Sequence, residues 1–89
     1  GKVHLLHMVL GNEQILATVT AELAAGTAFT SLAVRYSSGE AAVEGGDIGW
    51  INPADMIEPM KTVILELAMN ETSPPVEAAG LYHIFKRIP

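Results

Sequence analysis

From Lys2 to Leu10 the chain is apolar nearly throughout, broken only by His4 and His7 and stopped at Gly11. Near-continuous apolarity predicts a central strand covered on both faces. The pattern then changes period. Ile15, Leu16, Val19 and Leu23 recur at helical spacing, which predicts a helix capped by Asn12, with Glu13 in its first turn, running to Ala25 and ended by Gly26. Phe29, Leu32, Ala33 and Tyr36 mark one face of a second helix over Ala28 to Tyr36, for which Thr27 is the expected cap. Ser37 to Glu44 reads as a polar, alanine-rich loop.

The stretch Gly45-Gly46-Asp47-Ile48-Gly49-Trp50 is poor helix. Its first three residues read as a turn, and Ile48, Trp50 and Ile51 are bulky apolar residues that want burial or a ligand. A short second strand over Asp47 to Ile51 follows, shaped as a pocket wall where glycine permits close approach. Asn52-Pro53 starts a helical turn, with proline at its first position. Met56, Met60, Val63, Ile64 and Leu67 predict a third helix from about Glu58 to Ala68, with Pro59 near its first position. After a turn at Asn70 to Thr72, Ser73 to Ala78 reads as an edge strand because it opens on Pro74-Pro75, and Leu81 to Ile88 as the last strand. Only these two are close enough for a hairpin. The order β-α-α-β-α-β-β predicts an α+β fold, a four-stranded, mainly antiparallel sheet with helices packed around it.

Length and charge narrow the options. Eighty-nine residues, 49% of them hydrophobic and 17% charged, fit one small globular domain, residues 1–89, and the abrupt start is expected of a domain cut from a longer chain. No apolar run reaches the roughly 18 residues of a membrane span, so membrane insertion by this domain is not expected. The formal net charge of −5 argues against nucleic acid and other polyanions as partners. Without cysteine there is no disulfide framework, zinc thiolate site or thiol nucleophile.

Candidate chemistry centres on His4, His7 and His83. An odd separation on a strand sends His4 and His7 to opposite faces, and the first strand has no carboxylate beside them, so a metal site is not expected. His7 and His83 lie in apolar strands. Two readings fit them: core histidines sharing a hydrogen bond, or a buried pair beneath a binding site, each fixing the other's tautomer. No serine sits in a G-x-S-x-G elbow, and Gly45-Gly46 lacks the rest of a dinucleotide fingerprint. Asp47 is expected to bond local backbone. Met56 and Met60 read as core residues, or with Trp50 and an isoleucine as a soft apolar pocket.

Together these residues resemble the parvulin (rotamase, PpiC-like) family of peptidyl-prolyl cis-trans isomerases. His7-Met8-Val9-Leu10 is similar to the family's opening H-I-L-V strand. Phe29, Leu32-Ala33 and Tyr36-Ser37 are similar to its F-x-x-L-A-x-x-[YF]-S helix, Gly45 to Trp50 to its G-G-D-L-G-[WF] signature, and Tyr82 to Lys86 to its closing Y-H-I-I-K strand. Four motifs in order, from His7 to Ile88, are specific.

The resemblance implies that His7 and His83 form the floor of the active site. Ile48, Met56 and Met60 would form the proline pocket, Met60 standing where phenylalanine is usual, and Trp50 would join the substrate surface. The sequence also departs from the family pattern. Gly39 stands where active members carry Cys or Asp facing the rotating amide, Ala78 and Gly80 where Thr and Ser often support the histidines, and Leu81 where glycine precedes the last histidine by two. The basic phosphate-binding loop of the phospho-specific branch is absent. The implied function is a weak isomerase acting on X-Pro bonds of unfolded or flexible chains, without phospho-specificity and with no cofactor. The main rival is a catalytically impaired module that binds proline-containing chains as a chaperone; a weaker one is a structural or dimerising module using the Trp50 and methionine surface. As an isolated domain the chain is expected to be monomeric. As part of a longer foldase it is expected in the bacterial periplasm or cell envelope, with the cytoplasm as the other option.

Overall fold

The computed structural model describes residues Gly1–Pro89. Its elements run β1 (Val3–Leu10), α1 (Glu13–Ala24), α2 (Phe29–Tyr36), β2 (Asp47–Ile51), α3 (Met60–Glu66), β3 (Val76–Ala78) and β4 (Leu81–Ile88), with short 3-10 turns at Ala42–Glu44 and Pro53–Asp55. The four strands form one antiparallel sheet in the order β2-β1-β4-β3. The near-continuously apolar β1 is central, as expected, with α1 and α2 on one face and α3 over part of the other.

Alternation along β1 divides the core in two. Leu6, Met8 and Leu10, with Ile84 of β4, face α1 and α2 and pack on Val19, Phe29, Leu32 and Ala33. Leu5 and Phe85 point the other way, onto Ile64 and Leu67 of the α3 region. With seven residues α3 is only about 10 Å long, and it covers one end of its face. The His7, Val9 and His83 end stays open.

Asn12 caps α1 as expected, its side chain accepting the Ile15 N–H at 2.8 Å. The end of α1 is closed by Gly26 at φ 93°: the Gly26 N–H reaches the Leu23 carbonyl and the Thr27 N–H the Glu22 carbonyl, a pairing that satisfies two carbonyls left over by the last turn. Thr27 therefore does not cap α2. Its hydroxyl donates to the Glu22 carboxylate, and α2 starts from Ala28 with no side-chain cap.

Two other boundaries differ from expectation. α3 spans Met60–Glu66 rather than Glu58 to Ala68, because Pro59 occupies the capping position rather than the first helical one and Leu67 has turned to extended backbone. Glu58 supplies the start instead, its carboxylate accepting from both the N–H and the hydroxyl of Thr62. β3 is limited to Val76–Ala78, since Pro74 and Pro75 have no N–H to give the ladder. The segment before them still follows β4 through an isolated bridge between Thr72 and Lys86 and through Ser73. The buried Ser73 donates its N–H to the Phe85 carbonyl at 2.7 Å and takes the Phe85 N–H on its hydroxyl at 2.9 Å. No helix is long and apolar enough to cross a membrane.

Candidate functional site

The site is made by the way β2 leaves β1. Leu5 faces Gly49 and Leu6 faces Asp47, so Ile48 is an extra residue in β2. A bulge of this kind re-aims side chains. Plain alternation would put Ile48 and Trp50 on one face. With the bulge, Ile48 joins Ile51 against the Leu5–Phe85 cluster, while Asp47 and Trp50 turn to the face of His4. Gly49 adopts φ 76°, and Asp47 Oδ1 accepts its N–H at 2.8 Å, the local backbone bond expected of Asp47.

Beyond the bulge the outer edge of β1 needs other partners, because β2 has gone. The Gly46 carbonyl takes the His7 N–H at 2.8 Å. The Ser37 hydroxyl takes the Val9 N–H at 2.9 Å, and the Val9 carbonyl takes the Ser38 N–H at 2.8 Å. Gly46 is fixed by geometry: at φ 86°, a Cβ there would lie 2.6 Å from the His7 carbonyl oxygen. These bonds hold the loop after α2 against β1 and leave a cleft of about 380 Å³ lined by His7, Val9, Gly39, Glu40, Ala41 and Ile48.

His7 and His83 meet at the floor of this cleft. His7 Nε2 and His83 Nδ1 are 2.9 Å apart, so one ring donates a proton and the other accepts it. The His7 ring stacks on Phe85, with centroids 4.4 Å apart and planes 5° from parallel. His83 is held by backbone on both sides, facing Val9 of β1 and Val76 of β3. Burial, and then repulsion from His83, lower the His7 pKa to about 4, which keeps its ring neutral at physiological pH. No buried side-chain nitrogen or oxygen lacks a partner, so the two remaining ring nitrogens reach solvent.

Not every expected residue reaches the cleft. His7 and Ile48 line it, and His83 lies in contact below. Met56 and Met60 pack with Ile48 on the adjoining Leu5–Phe85 cluster, extending the same apolar wall toward α3. Trp50 does not belong: it is 59% exposed on the opposite face, its ring 5.1 Å from that of His4. There His4 Nε2 donates to Asp47 at 2.8 Å, the carboxylate that β1 lacks and β2 supplies. That hydrogen bond, with one to the Pro89 carbonyl, raises the His4 pKa, and bonds from Gly49 and His4 lower that of Asp47. No three metal-ligating side chains gather anywhere in the chain.

The supports of the histidines differ from expectation in detail. Ala79 and Gly80 form the two-residue β3–β4 turn at φ 54° and 78°. Gly80 is thus set by the turn rather than by the histidines. Gly39 brings no side chain to the cleft, and a Cβ there would lie 3.1 Å from Val9 Cγ2. The sequence does not reveal that Val9 of β1 lines the cleft, nor the places of Glu40, Ala41 and the anchoring Ser37, which lie in an irregular loop with no periodic signal.

Comparisons agree with this architecture. The PPIC-type PPIASE (rotamase) domain model matches residues 12–88, a span that includes His83 and begins after His7. The periplasmic chaperone PpiD of Haemophilus ducreyi is 38% identical over 87 residues, covering 97% of this chain and 14% of that protein. The foldase protein PrsA of Geobacillus kaustophilus is 34% identical, covering 96% and 31%. The crystal structure of PrsA from Bacillus subtilis superposes with a TM-score of 0.91 at 31% identity, over all of this chain and 35% of that one. The chain therefore spans less than a third of the curated relatives PpiD and PrsA. With a family model over most of its length and relatives above 30% identity, the chain belongs to the rotamase family of PPIC-type peptidyl-prolyl isomerase domains.

Proposed function

We propose that the cleft over His7 and His83 binds proline in unfolded or flexible polypeptides and speeds rotation of the preceding peptide bond. The observation that carries this reading is the hydrogen-bonded histidine pair lying against an apolar wall headed by Ile48. No bond is made or broken in the reaction. The obstacle is amide resonance, a barrier of about 18–20 kcal/mol. Ile48, extended by Met56 and Met60, grips the proline ring, while the stacked and bonded histidines present a fixed floor to the amide. A surface that fits the twisted amide better than either planar form lowers the barrier, and moving the amide out of water weakens its charge-separated resonance form. With no basic cluster in the cleft, phosphorylated substrates have no special place.

A second reading has one specific observation in its favour. Gly39 leaves the cleft without the polar side chain that active parvulins carry beside the amide. On that reading the domain holds proline-containing chains without turning them over, as a chaperone module. The names of the relatives PpiD and PrsA, a periplasmic chaperone and a foldase, support placing this domain in the cell envelope as part of a longer protein that assists folding. Exchange NMR of a proline peptide with substoichiometric protein decides between the readings. Faster cis–trans exchange is expected. Shifts at His7 and Ile48 without faster exchange would establish the chaperone reading, and neither effect would remove both.

A further inference from the structure

The cleft has one charged wall. Of its six lining residues, His7 is held neutral at physiological pH, three others are apolar and one is glycine, which leaves Glu40. Several other carboxylates are engaged, Asp47 by His4 and Gly49, Glu22 by Thr27, Glu58 by Thr62, and Glu71 by the Ala68 N–H, and the unengaged Glu44, Asp55 and Glu66 do not line the cleft. No side-chain hydrogen bond or ion pair engages Glu40; the single ion pair of the chain is His4–Asp47.

The backbone beneath Glu40 is firmly placed. The Gly39 N–H donates to Ser37 Oγ at 3.2 Å, the same hydroxyl that holds β1 at Val9, and the Ala42 N–H closes a turn on the Gly39 carbonyl at 3.1 Å. Glu40 is thus the first central residue of a turn fastened to the sheet, with an exposed, free carboxylate at the mouth of the cleft.

We infer that Glu40 is a specificity-determining residue that favours substrates with Lys or Arg immediately before the proline. This rests on the proline-binding reading of the cleft. If Ile48 holds the ring and the amide lies over His7 toward Gly39, the wall beyond Gly39 meets the residue on the far side of the amide, the one preceding proline. A carboxylate there attracts a cation and repels an acidic or phosphorylated side chain. The chain's net charge of −5 adds to the local field with the same sign.

Capped peptides Ala-Xaa-Pro-Phe with Xaa Lys, Ala or Glu, followed by exchange NMR and by titration of labelled protein, give the test. At low salt the order of kcat/KM, or of affinity if turnover is absent, is expected to be Lys above Ala above Glu. Each step should be roughly fivefold, shrinking as salt rises to about 0.5 M. Glu40→Gln should level the series and Glu40→Lys should reverse it. Glu44→Gln, which changes net charge equally outside the cleft, should leave the order intact. A wild-type protein that treats all three alike, or an order that survives Glu40→Gln, overturns the inference while leaving the cleft a proline site. Failure of all three peptides to bind or turn over would overturn the proline-binding reading as well.

Discussion

At Gly46 a single hydrogen atom decides whether β2 can meet β1. A Cβ would collide with the His7 carbonyl at 2.6 Å, on a backbone already at φ 86°. Gly46→Ala is therefore expected to destabilise the fold by about 2–4 kcal/mol in a urea melt, and to disturb His7 before any other ring. Gly39 is the contrasting case, since its φ is ordinary and a Cβ there would meet only side chains, Val9 Cγ2 at 3.1 Å and Ser37 Oγ at 3.4 Å. Gly39→Asp should cost about 1 kcal/mol as Val9 gives way, and should raise the isomerisation rate several-fold if the cleft lacks only a polar group. An unchanged rate would mean that Gly39 is not where activity is limited. The two histidine sites respond to pH in opposite senses. His7 has a lowered pKa, so the folded chain binds its proton more weakly than the unfolded one. Its contribution is complete above about pH 6.5, declines as pH falls and levels off below about 4, a loss of about 2–3 kcal/mol allowing for partial solvent exposure. His4 has a raised pKa, so its contribution is present below its ordinary value and fades as pH rises through the raised one. Denaturant midpoints against pH in His7→Leu and His4→Gln proteins separate the two.

At the scale of elements, the β3–β4 hairpin carries visible strain. Ala79 sits at φ 54° in a two-residue turn that favours Asn-Gly. Ala79→Asn is expected to stabilise the protein by about 0.5–1 kcal/mol, read as a higher melting temperature with the cleft's NMR shifts unchanged. A lower one would contradict the turn assignment. Elements with strong periodicity were legible: the stripe Ile15, Leu16, Val19 and Leu23, the face of Phe29, Leu32 and Ala33, and the apolar run of β1 all sit where their spacing places them. The misreadings have local causes. Thr27 looks like a cap, yet the chain reversal at Gly26 spends it on Glu22. Ile48 and Trp50, two apart in a strand, read as one surface until the bulge at Gly49 separates them. A glycine in a strand warns of a bulge but does not reveal which residue is extra.

For the whole molecule, the relevant asymmetry lies between the two faces of the sheet. One is covered by α1 and α2 except at its His4–Trp50 end. The other is only half covered by α3, and the histidine pair occupies what is left. Of the candidate site residues, the structure brings His7, His83 and Ile48 together and leaves Trp50 apart. The geometry of the cleft was not legible, since Glu40, Ala41 and Ser37 enter through a loop whose position depends on bonds to the free edge of β1. The central claim is that this uncovered end both holds the proline and hastens the rotation of its bond. The most direct measurement is the cis–trans exchange rate of a proline peptide with catalytic amounts of wild-type and Ile48→Ala protein. The wild type should accelerate exchange, and the variant, which keeps the histidine pair but loses the wall, should be about tenfold slower. Equal rates for the two proteins, or no acceleration by either, would contradict it.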